Sequence, residues 1–124
     1  MIDEGRALFL QIAGQIEDSI VDGSLPEESQ APSTNELAAF YRINPATAAK
    51  GVNMLVDSGI LYKRRGIGMF VSSGAREALL ARRRAGFAES FVRPLLAEAT
   101  RLGLNADDVA TLIRTHAPIE GEPS

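Results

Sequence analysis

The sequence has no cysteine, no tryptophan and a single histidine. Without thiols there is no disulfide, no thiolate metal site and no cysteine nucleophile. One imidazole, His116, cannot build a histidine metal cluster or a Cys–His pair. Aromatics make up only 6% of the 124 residues, so the core is expected to be rich in Leu, Ile, Val and Ala, and any ligand pocket to be small. No apolar run approaches the roughly 20 residues that a helix needs to cross a bilayer, and the first residues do not read as a secretory signal. A cytoplasmic protein without membrane contact is the expectation. Basic excess is lacking too: 13 Lys and Arg stand against 16 Asp and Glu, a formal charge of −3, whereas domains that bind polyanions are usually basic. No nucleophile–base constellation of the kind an active site needs is visible, so neither an enzyme nor a cofactor or metal site is expected.

What is present reads as a series of short, well-punctuated elements. Leu8, Ile12, Ile16 and Ile20 recur at steps of four, one apolar stripe of a helix that Gly23 ends. "SLPEESQAP" is rich in turn residues and reads as a polar loop. Ser33 with Glu36 three residues on is a capping box, which predicts a helix from about Thr34 to Tyr41. Asn44 as cap, Pro45 at the first helical position and Gly59 as stop frame the next helix, with Val52, Leu55 and Val56 on its buried side. The two meet across "RIN", a turn of helix-turn-helix length. "ILYKRR" and "MFVSS" are β-prone runs around Gly66-Ile67-Gly68, the pattern of a hairpin. Beyond it, Leu80, Phe87, Phe91, Leu95 and Leu102 fall at steps of four and seven along one long helix, which Pro94 should kink or break. Asn105 caps a last helix, with Asp108 at its positive end and Pro118 closing it. The expected fold is mainly α: a winged helix-turn-helix of three helices and a β-hairpin wing over residues 1–74, a two-helix region over 75–118, and a disordered tail over 119–124.

Lys63, Arg64 and Arg65 against Gly66 and Gly68 admit three readings: a solvated tip, a nucleotide-phosphate loop, or a finger on nucleic acid. The nucleotide loop requires a strand before the glycines and a helix after them, and here β-prone residues stand on both sides. The second helix of a helix-turn-helix lies in a DNA major groove with its N-terminal residues at the base edges. There the sequence offers Asn44, Ala46 and Thr47 for base edges and Lys50 for phosphate or guanine. Arg64 and Arg65 would neutralise phosphates, and Asn35 could do either job. Between residues 10 and 72 the cations are Arg42, Lys50, Lys63, Arg64 and Arg65, while Glu17, Asp18, Asp22, Glu27 and Glu28 fall on the first helix and its loop. Such segregation makes a local positive face, and phosphates respond to charge within a Debye length of about 10 Å. A small helical core with a polar exterior, or a winged-helix module that binds protein or RNA, is the alternative. Arg82, Arg83 and Arg84 lie about 100° apart on a helix, so they read as a solvated face, some of them paired with acids such as Glu77 or Glu89. An exposed stripe of Leu80, Phe87, Phe91, Leu95, Leu102 and Leu112 favours a homodimer, the alternative being that both helices cover it themselves.

Residues 8 to 72 resemble the N-terminal winged-helix domain of GntR-type bacterial transcriptional regulators. The resemblance rests on "I-x-x-G-x-L" at Ile20, "P-S-x-x-E-L-A" at Pro32, "N-P-x-T" at Asn44, "L-x-x-x-G-I-L" at Leu55 and "R-R-G-x-G-x-F-V" at Arg64. Two helices in about 50 residues after it are similar to the YtrA-type subfamily. The resemblance implies a dimeric repressor at a pseudo-palindromic operator, often of an ABC-transporter operon, with the long helix making much of the dimer contact. It carries DNA contacts onto Ser33, Thr34, Thr47, Lys50, Arg65 and Gly66, with Lys63, Arg64 and Gly68 beside them. Asn35 stands where the family commonly has Arg, and Ala31 where Leu is usual, which implies looser packing under that helix. Larger members bind metabolites in a longer C-terminal domain. A small-molecule effector of this chain would have to sit at a dimer or interdomain interface.

Overall fold

Residues 7–118 are described by a computed structural model in which three of the helices start at a local side-chain cap. The order is α1 (Leu8–Asp22), α2 (Thr34–Tyr41), α3 (Pro45–Asp57), β1 (Leu61–Arg64), β2 (Gly68–Val71), α4 (Ala75–Phe87), a π-helical turn (Ala88–Val92), α5 (Arg93–Arg101) and α6 (Ala106–His116). The expected tail at 119–124 lies outside the described residues. Two compact units divide the chain, residues 1–82 and 83–124. The boundary expected at 74/75 marks the start of α4, whose first turns belong to the first unit because Ala75 and Leu79 are buried in its core.

That core joins Ile12, Ile16 and Ile20 of α1 to Leu37 of α2, Val52 and Leu55 of α3, and Leu61 and Val71 of the hairpin. Leu8, the first member of the expected stripe, is exposed. Ala31, at the position where the resembling family usually has Leu, is buried in the core. Helices α1 and α3 approach closely at Gly51, where a Cβ would come within 2.7 Å of the Phe9 carbonyl oxygen. Only glycine permits that approach.

Helix α2 opens with the predicted box: the Glu36 N–H donates to Ser33 Oγ at 3.0 Å, and the Ser33 N–H donates to Glu36 Oε1 at 2.9 Å. Asn44 Oδ1 accepts the Ala46 N–H at 2.8 Å and starts α3. Between these helices Arg42 sits at φ 56°, ψ 51°, a left-handed conformation uncommon outside glycine and asparagine. The hydrogen bonds from Ser33, backbone first and side chain second, hold Glu36 below its ordinary value of 4.5. A carboxyl lowered by folding stabilises above its unfolded value and loses that contribution as pH falls through its folded value. Acid unfolding followed by circular dichroism should therefore show a shallower stability loss below pH 4.5 for Glu36→Gln than for the unaltered chain.

The hairpin pairs Leu61 with Val71 and Arg64 with Gly68, so its tip is Arg65-Gly66-Ile67 and Gly68 already belongs to β2. The Ile67 N–H donates to the Arg64 carbonyl at 3.0 Å, and Gly66, at φ 77°, supplies the left-handed residue that closes the turn. Residues 28–31 run past the other edge of β2 as a turn that makes one isolated bridge, Gln30 to Phe70, with Glu28 itself at a left-handed φ of 66°. The Glu28 N–H donates to Val71 O at 2.8 Å, Val71 N–H to Ser29 O at 3.0 Å, and Ala31 N–H to Met69 O at 2.9 Å. The segment is a loop, as its composition reads, but one whose backbone is tied to β2, and Glu27 within it caps α4. Its carboxylate accepts the Gly74 N–H at 3.0 Å and the Arg76 N–H at 3.2 Å, satisfying donors that have no partner within the helix.

In the second unit the discontinuity precedes Pro94. Proline has no N–H to offer the carbonyl four residues back. The backbone widens into the π-turn, where the Arg93 N–H donates five residues back to Ala88 O. Helix α5 then carries Pro94 in its first turn. Asn105 and Asp108 form the second capping box, at 2.8 and 2.9 Å, and start α6.

Candidate nucleic-acid interface

Helix α3 turns Ala48, Val52 and Leu55 inward, which leaves Asn44, Ala46, Lys50 and Asn53 exposed and Thr47 half-buried. Ala46, Lys50 and Asn53 follow one another at steps of four and three, so they share a face. Asn53 was not among the expected contacts, although helical spacing from Lys50 would have found it. Asn44 uses its oxygen to cap α3, leaving its amide N–H groups to donate. Ser33 likewise accepts from Glu36 and keeps its hydroxyl hydrogen for an outside acceptor. Thr34 is half-buried and Asn35 exposed in the first turn of α2. Lys50 Nζ lies 4.0 Å from the centroid of the Phe9 ring. At an exposed site that attraction is worth about 0.5–1 kcal/mol, small enough for a phosphate to compete.

The three wing cations separate. Lys63 and Arg65 are exposed, and their side chains have no ion pair or hydrogen bond among the described residues. Arg64 instead turns onto its own sheet: Nη2 is 3.0 Å from the Tyr62 hydroxyl and 3.8 Å from Glu28 Oε1, and the guanidinium carbon lies 4.2 Å from the Phe70 centroid. The Tyr62 hydroxyl itself donates to Glu28. Gly66 is open on all sides, whereas a Cβ on Gly68 would meet Gln30 Nε2 at 2.6 Å. That amide donates to Ile67 O at 3.1 Å and braces the tip.

Against the net acidity, several of the first unit's acids are engaged within the unit itself. Glu17 pairs with Arg82 at 2.6 Å, Glu27 with the start of α4, and Glu28 with Tyr62 and Arg64. Asp22 accepts the Ser24 N–H at 2.8 Å. Arg42, Lys63 and Arg65, by contrast, have no carboxylate partner among the described residues. Of the three consecutive arginines, Arg82 pairs with Glu17 of α1, and Glu89 holds Arg93 at 2.8 Å.

In the second unit Phe87, Phe91, Leu95, Leu102 and Leu112 are all exposed, Phe91 and Leu102 to 64%. Leu80 departs from that set: it is half-buried within the first unit, beside the fully buried Leu79. Leu96 and Ile113 are exposed as well, so the apolar face is broader than the expected stripe. Leu95, Leu102, Leu104, Val109, Leu112 and Ile113 line a groove between α5 and α6. Among the described residues no group of acids and histidine is placed to hold a metal, and no helix is long and apolar enough to cross a membrane. His116 Nδ1 lies 2.9 Å from the Leu112 carbonyl of its own helix.

Two capped helices across a tight turn, followed by a cation-tipped hairpin, define a winged helix-turn-helix, the architecture of a class of transcriptional regulators. Residues 8–71 match the model of the bacterial regulatory proteins of the gntR family, and the chain belongs to that family, whose members are regulators rather than enzymes. Over 73 residues, 59% of this chain and 56% of the other, it is 30% identical to the HTH-type transcriptional repressor YtrA of Bacillus subtilis. A solved GntR-family structure from Bacteroides thetaiotaomicron is 30% identical, with a TM-score of 0.70 over 88% of this chain and 95% of that one. The AraR DNA-binding domain, solved in complex with an operator, is 29% identical with a TM-score of 0.51, over 52% of this chain and 78% of its own. The chain spans about 30% of the length of the first curated relatives it matches.

Proposed function

We propose that this chain is a cytoplasmic, sequence-specific repressor that binds double-stranded DNA as a homodimer at a pseudo-palindromic operator. Helix α3 would enter the major groove, with Asn44, Ala46 and Thr47 at base edges and Lys50 toward phosphate. The first turn of α2, at Ser33, Thr34 and Asn35, would meet the backbone, and the wing would bring Lys63, Arg65 and Gly66 to the adjacent groove. One observation carries this reading: Glu17, Glu27, Glu28 and Glu36 are engaged internally, while the side chains of Lys63 and Arg65 stay unpartnered. The operator complex of the related AraR domain supports it. Residues 75–118 would form the dimerisation region, centred on the exposed face of the second unit. The similarity to the YtrA-type subfamily suggests an ABC-transporter operon as the target.

Selection of bound duplexes from random DNA tests this. The expected product is an inverted repeat with half-site centres about 10 bp or a multiple apart, bound with an affinity that falls linearly in log–log fashion with salt. Repeating the selection with candidate metabolites reads out an effector. No enrichment, or preferential capture of RNA, would sink the proposal.

A further inference from the structure

We infer that Arg64 positions the wing, locking it to the 28–31 loop, and that it is not one of the wing's phosphate contacts; this rests on the DNA-binding reading above. Successive strand residues face opposite sides, so Lys63 and Arg64 cannot both point at the same phosphates. Arg64 shares its face with Tyr62, and Tyr62 is paired across the hairpin with Phe70. The guanidinium lies over the Phe70 ring and reaches Glu28 on the far side, so one side chain spans both strands and the 28–31 loop. Phe70 is 8% exposed under this cover. Moving Arg64 out to a phosphate would uncover the ring and leave Glu28, a carboxylate, unneutralised on the wing. The planar cation both stacks on the ring and neutralises that acid, a combination that an ammonium does not reproduce.

Three variants and two readouts test this on the full chain, with the selected operator duplex as probe. Arg64→Gln and Arg64→Lys should both weaken binding by about tenfold, with the slope of log K against log salt unchanged. Arg65→Gln should lower that slope by about one per wing. In the free protein, the amides of Val71 and Ala31, which tie that loop to β2, should exchange faster in both Arg64 variants and unchanged in Arg65→Gln. A slope that drops with Arg64→Gln while Arg64→Lys keeps full affinity would make Arg64 a phosphate contact and overturn the inference. Unaltered amide exchange in both variants would overturn it equally. Should the unaltered chain bind no duplex, the DNA-binding reading fails, and the exchange experiment still decides whether Arg64 locks the wing.

Discussion

Phe91→Glu is expected to halve the particle mass measured by light scattering at micromolar concentration and to lower operator affinity by about 10²–10⁴-fold. The mechanism starts from exposure. Phe91 is 64% exposed, with the Phe87 ring 5.5 Å away and Leu95 and Leu102 exposed further along. An apolar face this dense is unusual on a monomer. A two-fold pairing buries every residue of it twice, at about 1.5–3 kcal/mol for each side chain fully removed from water. A glutamate in the middle places a charge where it has no partner, which few interfaces tolerate. Each freed protomer then holds one half-site alone, and the gain from tethering two heads disappears. Because Phe91 packs into no core of its own unit, helicity should stay unchanged. Leu102→Glu, at the other end of the face, should reproduce the result. A monomer mass for the unaltered chain, or a Phe91→Glu variant that remains dimeric, removes the dimer from the proposal.

The legible parts of this fold are those whose ends are written locally. Ser33 with Glu36, Asn44 with Pro45, Asn105 with Asp108 and the glycine at 23 each act within three or four residues, so sequence spacing alone places them. The parts that were missed depend on distant partners. "SLPEESQAP" is the loop its composition reads as, but the hydrogen bonds that tie it to β2 are invisible until Val71 is beside Glu28. Glu27 caps a helix that starts far along the chain. Heptad-like spacing chose Leu80, but the rotation of α4 is fixed by burial of Ala75 and Leu79 against the first unit. The same distinction runs through the candidate site. Periodicity sorts the exposed from the buried face of α3, whereas the three adjacent wing cations look equivalent in sequence. Strand alternation and the Phe70–Glu28 surface separate them.

That separation makes the second large prediction specific. The double change Lys63→Gln with Arg65→Gln should weaken operator binding by about 10²–10³-fold at moderate salt and flatten the salt slope by about 3.5 in a dimer, since each neutralised phosphate contributes about 0.9. Thermal stability should shift little, because exposed, unpartnered side chains rarely contribute more than about 0.5 kcal/mol. Formal charge would move only from −3 to −5 with the loss of two cations. If net charge governed binding, any two exposed cations would serve, and neutralising Arg93 with Arg101 would have the same effect. Those two arginines already pair with Glu89 and Glu98 on their own helix, so that control should leave the slope unchanged. Equal losses in the two pairs would mean the chain binds through its overall field and not through a wing. An effect confined to residues 63 and 65 ties the affinity of an acidic protein to the two wing cations that its own carboxylates leave free.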